Sequence, residues 1–229
     1  MKFIVFGLGI FGKSLSVRLT ELGHEVIAID KNPQKVEQLK EKITHTVCMD
    51  STDREAVSAL PMKDADAVIV AIGEDEASSL LTAALLKQLK IKRIIGRVVS
   101  DLQKTVLEAM QIDDYVLPEE ESAEKLAIRL SNKGVVDSFT VSERYSIIEI
   151  KVPEKYVGKT LGEVDFPNKY QVIVLTTLSV SKRSDEGITK ITKRANGLAM
   201  PETLLNENDI MVLFGEMRDI TKLMNNAGQ

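Results

Sequence analysis

The fold is decided by residues 2–30, which read KFIVFGLGIFGKSLSVRLTELGHEVIAID. A short apolar run of strand-forming residues is followed by a glycine-rich turn, an amphipathic segment with leucines on one face and a second apolar run. The second run ends at Asp30. This order of strand, glycine turn, helix, strand and acid predicts a nucleotide-binding unit rather than a merely structural turn.

Each glycine of the turn has a separate role in this prediction. Gly7 permits the tight turn out of the strand, Gly9 lets the backbone approach a pyrophosphate, and Gly12 lets the helix pack closely on the sheet. The phosphates then sit on the unpaired N–H groups at the start of the helix. Asp30 is placed to accept hydrogen bonds from ribose hydroxyls, and its charge disfavours the 2′-phosphate of NADP.

The composition indicates a globular protein. The chain has 229 residues, 44% of them apolar, and a formal net charge of −4. Because Lys and Arg are scattered rather than clustered, we expect no nucleic-acid partner. The single cysteine, Cys48, falls in a predicted strand, which favours a small buried side chain over a reactive thiol. We recognise no signal peptide and no membrane-spanning run, so we expect a protein of the reducing cytosol.

Predicted strands and helices alternate six times over the first 117 residues. Beyond the opening unit, apolar runs predict strands at residues 44–49, 65–72, 93–99 and 114–117. The inner faces of the two helices that follow residues 72 and 99 are predicted at Ala77, Leu80, Leu81, Ala84 and Leu85, and at Leu102, Val106 and Met110. The alternation predicts an α/β fold, a Rossmann-like doubly wound parallel sheet. Ligands of such sheets bind beyond the carboxyl ends of the strands.

After residue 134 the regular alternation of strand and helix patterns does not continue. We therefore predict a Rossmann-like domain over residues 1–134, with a last helix at residues 119–132, and a smaller α+β domain over residues 135–229. Strands of the second domain are predicted at residues 146–152, 171–178 and 210–214, and an exposed hairpin or loop at residues 181–196.

The second domain is where a dehydrogenase would keep its catalytic groups, and we can assemble none there. Both histidines, His24 and His45, belong to the first domain, in a turn and at a strand end. We therefore expect no enzyme. A small NAD-dependent oxidoreductase and a nucleotide sensor that controls some other partner are the two alternatives.

Together these segments resemble one family, the RCK (also called KTN) regulatory subunits of Trk- and Ktr-type potassium transporters. The resemblance covers nearly the whole chain. In the first domain it is carried by residues 7–12, 23–26, 30–32, 50–53, 67–73 and 116–119. In the second domain it is carried by residues 145–150 and 158–161 and by the turn at Gly215.

The resemblance implies regulation rather than catalysis. Such subunits form rings on the cytosolic face of a potassium-translocating membrane protein and bind adenine nucleotides such as ATP, ADP, AMP or NAD(H). A change of nucleotide shifts the ring between shapes, which requires a difference in affinity for those shapes. This chain resembles the single-unit Ktr type, so the resemblance implies dimers that assemble into a ring, which we expect to be an octamer.

The resemblance also assigns individual positions of the nucleotide site. They are the phosphate loop (Gly7, Gly9, Ile10, Phe11 and Gly12), the ribose contacts (Asp30, Lys31 and Asn32), the adenine edge (Asp50 and Ser51), and the loop facing the phosphates (Ala71, Ile72 and Gly73). Arg97 either reaches a phosphate or pairs with a nearby carboxylate. Glu119 either helps to hold a divalent cation near the phosphates or is an ordinary acid of a first helical turn.

One position departs from the family pattern. Relatives that distinguish ATP from ADP often carry Arg where this chain has Ile10. An isoleucine supplies no charge-assisted donor to a γ-phosphate. The sequence therefore gives no basis for ATP sensing at this position and favours ADP, AMP or NAD(H).

Overall fold

The structure is a computed structural model that describes residues 1–112, 114–132, 134–185 and 188–227. The chain divides into two compact units, Met1–Glu121 and Ser122–Gln229. The division falls inside a helix that spans Pro118–Ser131, whereas the boundary drawn from the sequence follows the end of that helix. Each unit has a sheet and an apolar core of its own.

The first unit is a six-stranded parallel sheet with helices on both faces. Its strands are β1 (Lys2–Phe6), β2 (Glu25–Asp30), β3 (His45–Cys48), β4 (Ala67–Val70), β5 (Ile94–Arg97) and β6 (Tyr115–Val116). Its helices are α1 (Ile10–Glu21), α2 (Pro33–Glu37), α3 (Arg54–Ser58), α4 (Glu76–Gln88) and α5 (Asp101–Ala109), with a 3-10 turn at Met62–Asp64, and α6 (Pro118–Ser131) begins at its end. The strand order β3-β2-β1-β4-β5-β6 confirms the predicted doubly wound sheet.

Alternate residues of the central strands enter two different apolar cores. Ile4 and Phe6 of β1 lie in one core with Leu86 of α4. Val5 lies in the other core with Val36 of α2. Because helices cover both faces, the central strands read as unbroken apolar runs, which is why the sequence located them.

The inner faces of α4 and α5 differ from the prediction. Leu81 and Leu102 were expected inside, yet they are 60% and 73% exposed. Ser79, Thr82 and Gln103 are buried instead. These polar side chains are satisfied there, since Gln103 Nε2 donates to Ser79 Oγ at 3.1 Å and Thr82 Oγ1 donates to a carbonyl of the preceding turn at 2.7 Å. The predicted buried face of each helix was therefore partly wrong, because it was assigned from apolar residues alone.

The edge strand of this sheet explains a second wrong prediction. Cys48, the last residue of β3, is exposed rather than buried. In the sheet, β3 is hydrogen-bonded to β2 only. Its outer side is therefore left uncovered by any further strand among the described residues.

The second unit is a five-stranded antiparallel sheet with short helices. Its strands are β7 (Val135–Thr140), β8 (Tyr145–Lys151), β9 (Ile173–Asp185), β10 (Ile188–Ala195) and β11 (Ile210–Glu216), in the order β10-β9-β11-β8-β7. Its helices are α7 (Leu161–Val164), α8 (Phe166–Tyr170) and α9 (Met217–Ala227), with a 3-10 turn at Glu154–Tyr156. The α+β class is confirmed. The segment predicted as a hairpin or loop is the β9–β10 hairpin, whose residues 186 and 187 lie outside the described residues.

The core of the second unit joins one face of its sheet to the short helices. Ile148 and Ile150 of β8 pack there, as the alternation in the sequence predicted. Tyr156 and Tyr170 are buried in the same core, and their hydroxyl groups form a hydrogen bond with each other. Burial, followed by this hydrogen bond, raises the pKa of Tyr156.

Among the helices that the structure describes, none combines the length and the apolar character needed to cross a bilayer.

Candidate nucleotide-binding site

The site is built around the loop between β1 and α1. Gly7 has a φ of +96°, and a Cβ there would lie 2.9 Å from Ile72 Cγ1. A Cβ at Gly12 would lie 1.9 Å from the carbonyl oxygen of Gly7. At Gly9 the corresponding position has no atom of the described residues within 4 Å. Gly7 and Gly12 are thus required by the packing of the loop, whereas the space beside Gly9 is open and accessible to a ligand.

Asp30 ties the end of β2 to this loop. Its Oδ2 accepts a hydrogen bond from Leu8 N at 2.7 Å, and its Oδ1 accepts one from Asn32 N at 2.8 Å. Each carboxylate oxygen has room for a second donor, so the group can hold the loop and bind ribose hydroxyls together. Asn32 Oδ1 accepts from Gln34 N and Lys35 N and so caps α2, which leaves its amide group as a donor.

Asp50 and Ser51 follow β3 at the same edge of the sheet. The backbone N–H and then the hydroxyl of Thr52 hold the pKa of Asp50 below its ordinary value, and Lys31 adds a smaller effect. Ser51 Oγ lies 2.9 Å from Thr82 Oγ1, which joins the end of β3 to α4. The carboxylate of Asp50 is therefore ionised and held in place at the carboxyl edge of the sheet.

The residues after β4 lie on the other side of the glycine loop. Ala71 N donates to the Phe6 carbonyl at 2.7 Å. A Cβ at Gly12 would lie 3.0 Å from Ala71 Cβ, and one at Gly73 would lie 2.4 Å from Arg97 Nη1. Residues 71–73 are thus packed between the glycine loop and Arg97.

Arg97, the last residue of β5, contacts three elements of the site. Its guanidinium carbon lies 5.8 Å from the centre of the Phe11 ring, its Nη1 faces Gly73, and its Nη2 donates to Glu119 Oε1 at the start of α6. Only 15% of the side chain is exposed. Its Nε is buried and has no hydrogen-bond partner within the described part of the chain. The pairing with a carboxylate is therefore formed, and a contact of Arg97 with a nucleotide phosphate stays a prediction.

Two ion pairs were not foreseen from the sequence. Lys31 Nζ lies 3.7 Å from Asp75 Oδ2, and Lys35 Nζ lies 3.8 Å from Glu74 Oε2. They join the segments after β2 and β4, which flank β1 in the sheet. Because these side chains are largely exposed, the pairs are weak. No spacing in the sequence reveals them, because the paired residues are 44 and 39 positions apart along the chain and meet only in the folded protein.

The remaining two predicted positions are Ile10 and Glu119. Ile10, the first residue of α1, is 90% exposed beside the glycine loop and offers no polar group. Glu119 pairs with Arg97, as described above. No group of three or more His, Cys, Asp or Glu side chains suited to a metal ion occurs among the residues that the structure describes.

The fold and the site together define a class of protein. A glycine loop at the carboxyl edge of a parallel sheet ordered 3-2-1-4-5-6, with an acid closing the second strand, is the arrangement of Rossmann-type nucleotide-binding domains. Here an antiparallel α+β unit follows that domain. The family model of the TrkA-N domain matches residues 3–118, and the chain belongs to this family.

Two relatives are similar to the chain over nearly its whole length. It is 32% identical to the Ktr system potassium uptake protein C of Bacillus subtilis (strain 168) over 221 residues, which is 96% of this chain and 95% of that protein. It is 31% identical to the Ktr system potassium uptake protein A of the same strain over 224 residues, or 98% and 96% of the two chains. The resemblance to Ktr-type proteins is thereby confirmed.

A solved structure has the same fold throughout. The RCK domain of GsuK matches all of this chain with a TM-score of 0.65 at 18% identity, and this chain spans 48% of that one. At this level of identity the match concerns the fold alone. It includes both units, so the antiparallel second unit is also that of an RCK fold.

Proposed function

We propose that the chain is a nucleotide-binding regulatory subunit of a Trk/Ktr-type potassium transporter. The observation that carries the proposal is the similarity to the two Ktr potassium uptake proteins, which extends over at least 95% of both relatives. The subunit is cytoplasmic, and copies assemble through dimers into a ring, with eight as the proposed number. The ring binds the inner face of a membrane-embedded potassium-translocating partner, and we assign it no reaction of its own.

The ligand of this proposal is an adenine nucleotide at the carboxyl edge of the parallel sheet. Its phosphates rest on the free N–H groups at the start of α1, which the open space at Gly9 leaves accessible. Asp30 binds the ribose, with Lys31 and Asn32 beside it, and Asp50 with Ser51 lines the adenine edge. We propose residues 1–134 as the nucleotide-binding RCK N-terminal domain and residues 135–229 as the RCK C-terminal regulatory domain.

A nucleotide regulates such a ring through its preference for one shape. A tenfold difference in affinity between two shapes biases the equilibrium by about 1.4 kcal/mol per site. Several coupled sites multiply this bias, so a modest preference at each site is enough to switch the ring. NAD(H), ADP, AMP and ATP are the proposed ligands, and the first three are favoured because Ile10 gives a γ-phosphate no donor.

Glu119 is the residue proposed to hold a divalent cation. Its carboxylate is already paired with Arg97, and no cluster of metal-ligating side chains surrounds it among the described residues. This chain alone therefore does not fit a cation cage. A cation at Glu119 has to take its other ligands from nucleotide phosphates, which is a common arrangement for Mg²⁺.

Retention of a membrane partner tests the regulatory proposal. The full chain is immobilised and incubated with a detergent-solubilised Ktr-type potassium-translocating protein in the presence of ADP, ATP or no nucleotide. We expect specific retention whose strength depends on the nucleotide. The mass of the free protein by light scattering should be a multiple of 25.4 kDa.

Two results would count against this proposal. Failure to retain the partner under every condition would remove the transporter assignment and leave a sensor for some other partner. Turnover of NADH with small carbonyl substrates above background would instead favour the oxidoreductase alternative.

A further inference from the structure

We propose that Glu119 is a specificity-determining residue that competes with nucleotide phosphates for Arg97, so that a phosphate releases Glu119 and is thereby sensed at the start of α6. This inference rests on the proposed nucleotide binding. It names the contact through which the presence of a nucleotide is transmitted from the site to α6. Its starting point is Arg97, which lies in the proposed site and has N–H donors without acceptors among the described residues.

The donors of Arg97 exceed the acceptors around it. A guanidinium carries five N–H groups. Within the described residues, its hydrogen bonds go to Glu119 alone, and Nε is buried without a partner. The rest of its surroundings, Phe11 and Gly73, offer a ring face and close packing rather than acceptors. A buried donor without an acceptor needs an explanation, and a ligand with several oxygens is one.

The backbone of Arg97 is fixed, so an exchange of partners involves its side chain only. Gln103 is fully buried, and its Nε2 donates to the Arg97 carbonyl at 3.2 Å. Its Oε1 accepts a hydrogen bond from Val99 N at 2.8 Å. These bonds hold the end of β5 on both sides of Val98. The side chain of Arg97 therefore extends from a fixed backbone position, whichever acceptor its guanidinium binds.

Carboxylate and phosphate are alternative acceptors for one guanidinium. Both accept charge-assisted hydrogen bonds from arginine, and the Arg97–Glu119 pair uses a single one, from Nη2 to Oε1, so a phosphate can take the place of Glu119 and accept from further N–H groups as well. The side chain of Glu119 is 62% exposed, so its carboxylate, once released, meets water or, where a divalent cation accompanies the phosphates, that cation. The pair thus lowers the affinity for phosphate-bearing ligands by competition, and it has no effect on a nucleoside without phosphates.

The released residue belongs to the helix that leaves the first unit. Glu119 is in the first turn of α6, which begins at Pro118 and extends to Ser131. The first compact unit ends at Glu121. The Arg97–Glu119 pair therefore attaches the start of α6 to the end of β5, and its loss frees the first turn of the helix.

A set of matched variants of the full chain tests the inference. Calorimetric titrations with ADP, in EDTA and at fixed salt, compare the wild type with Glu119→Gln, Arg97→Met and the double variant. Glu120→Gln is the control, because it removes the same charge one residue away, and Glu120 forms no ion pair with any described side chain. Arg97→Lys, which keeps the charge and loses the bidentate fork, replaces Arg97→Met if that variant fails to fold.

We expect Glu119→Gln to bind ADP about threefold to tenfold more tightly than Glu120→Gln, as removal of a single charged competitor implies. Arg97→Met should bind ADP more weakly than the wild type, and the double variant should equal Arg97→Met. Adenosine, which has no phosphate, should bind all five proteins equally. Hydrogen exchange should speed up in the first turn of α6 when ADP binds the wild type.

Three results would overturn the inference. The first is a Glu119→Gln variant that binds ADP no more tightly than Glu120→Gln. The second is a gain in ADP affinity from Glu119→Gln that persists in the double variant without Arg97. The third is an equal gain in affinity for adenosine. Unchanged exchange in α6 would refute the sensing step. If these variants and the wild type all bind ADP without such differences, only this inference fails, whereas absence of any adenine nucleotide binding removes the proposed function as well.

Discussion

Gly9 and Gly12 stand three residues apart in one loop and have opposite surroundings. A Cβ at Gly12 would overlap the carbonyl oxygen of Gly7, at 1.9 Å. At Gly9 the space is open to 4 Å among the described atoms, and its φ of −65° suits any residue. One glycine is therefore needed for the packing of the protein itself, and the other for the approach of a ligand.

We expect the two alanine variants of this loop to separate stability from binding. Gly12→Ala should lower the free energy of unfolding by about 1–3 kcal/mol, because the new methyl group is overpacked against fixed backbone. Gly9→Ala should change it by less than about 0.5 kcal/mol. It should still weaken ADP binding, since the methyl group stands where a pyrophosphate approaches.

Urea denaturation and calorimetry of both variants measure these effects. Equal losses of stability in the two variants would contradict the assignment of Gly9. So would a Gly9→Ala protein that binds ADP as the wild type does.

At the scale of residues, the sequence revealed what is local and missed what depends on partners. The glycines and Asp30 could be singled out because their spacing in a strand–turn–helix unit is fixed by the chain itself, and their contacts with a nucleotide stay a prediction. The ion pair of Lys31 with Asp75 and the inward position of Gln103 were not found. Both arise from segments far apart in the sequence, and neither belongs to a local pattern.

Among the short elements of the second unit, the 3-10 turn at Glu154–Tyr156 and α8 are joined by a buried polar contact. Tyr156 and Tyr170 bond to each other through their hydroxyl groups. Removing one hydroxyl leaves the other buried without its partner, which costs about 1–3 kcal/mol. Removing both leaves no unpaired group.

We therefore expect Tyr156→Phe to destabilise the protein and Tyr156→Phe/Tyr170→Phe to be more stable than the sum of the two single changes predicts. Denaturant unfolding of the two single variants and the double variant measures this coupling. Strictly additive losses would show that the hydroxyl contact does not contribute.

The start of α7 gives a dependence of stability on pH. Thr160 N donates to Glu163 Oε2 at 2.7 Å, and Glu163 N donates to Thr160 Oγ1 at 3.3 Å. The backbone N–H and then the hydroxyl of Thr160 lower the pKa of Glu163 below its ordinary value of 4.5. A lowered pKa in the folded state stabilises the protein above the unfolded pKa, and this contribution disappears as the pH falls through the folded value.

We expect the wild type to be more stable than Glu163→Gln at neutral pH and to lose that advantage between roughly pH 5 and pH 3. Denaturant unfolding of both proteins across this range measures the difference. A difference that does not change with pH would contradict the capping role of the ionised carboxylate.

At the scale of elements, prediction succeeded where one pattern dominated. The central strands of the parallel sheet were located because each is an apolar run between turns, and the edge strand β3 because it follows in the same alternation. β7 was missed because only Val135 and Ser138 of its six residues are buried and its register shifts between Val135 and Asp137. α8 was missed because it has only five residues, too few to show a helical repeat of apolar positions. The left-handed backbone conformations of Asp165 and Gln171 at its two ends have no signal in the sequence.

At the scale of the whole molecule, two units of different construction serve one proposed task. The parallel unit carries the proposed nucleotide site at its carboxyl edge, where the tightly packed glycine loop and the Arg97–Glu119 pair lie. α6 starts in that unit and continues past its end. The similarity to Ktr proteins covers both units, so regulation is argued for the whole chain and not for the nucleotide domain alone.

The class of the whole molecule was predictable from the sequence because its motifs extend over both domains. Its preference for ADP, AMP or NAD(H) over ATP stays a prediction. Ile10 removes a charged donor from the phosphate loop, whereas the pairing of Arg97 with Glu119 emerges only in the folded protein.

Calorimetric titration of the full chain and of Asp30→Ala with ADP tests the central claim most directly. We predict that the wild type binds ADP without converting it, and that Asp30→Ala loses about 1.5–3 kcal/mol of binding free energy because a hydrogen bond to a charged group is lost. Equal affinity in the two proteins, a wild type that ignores adenine nucleotides, or chemical conversion of the bound nucleotide would contradict the account.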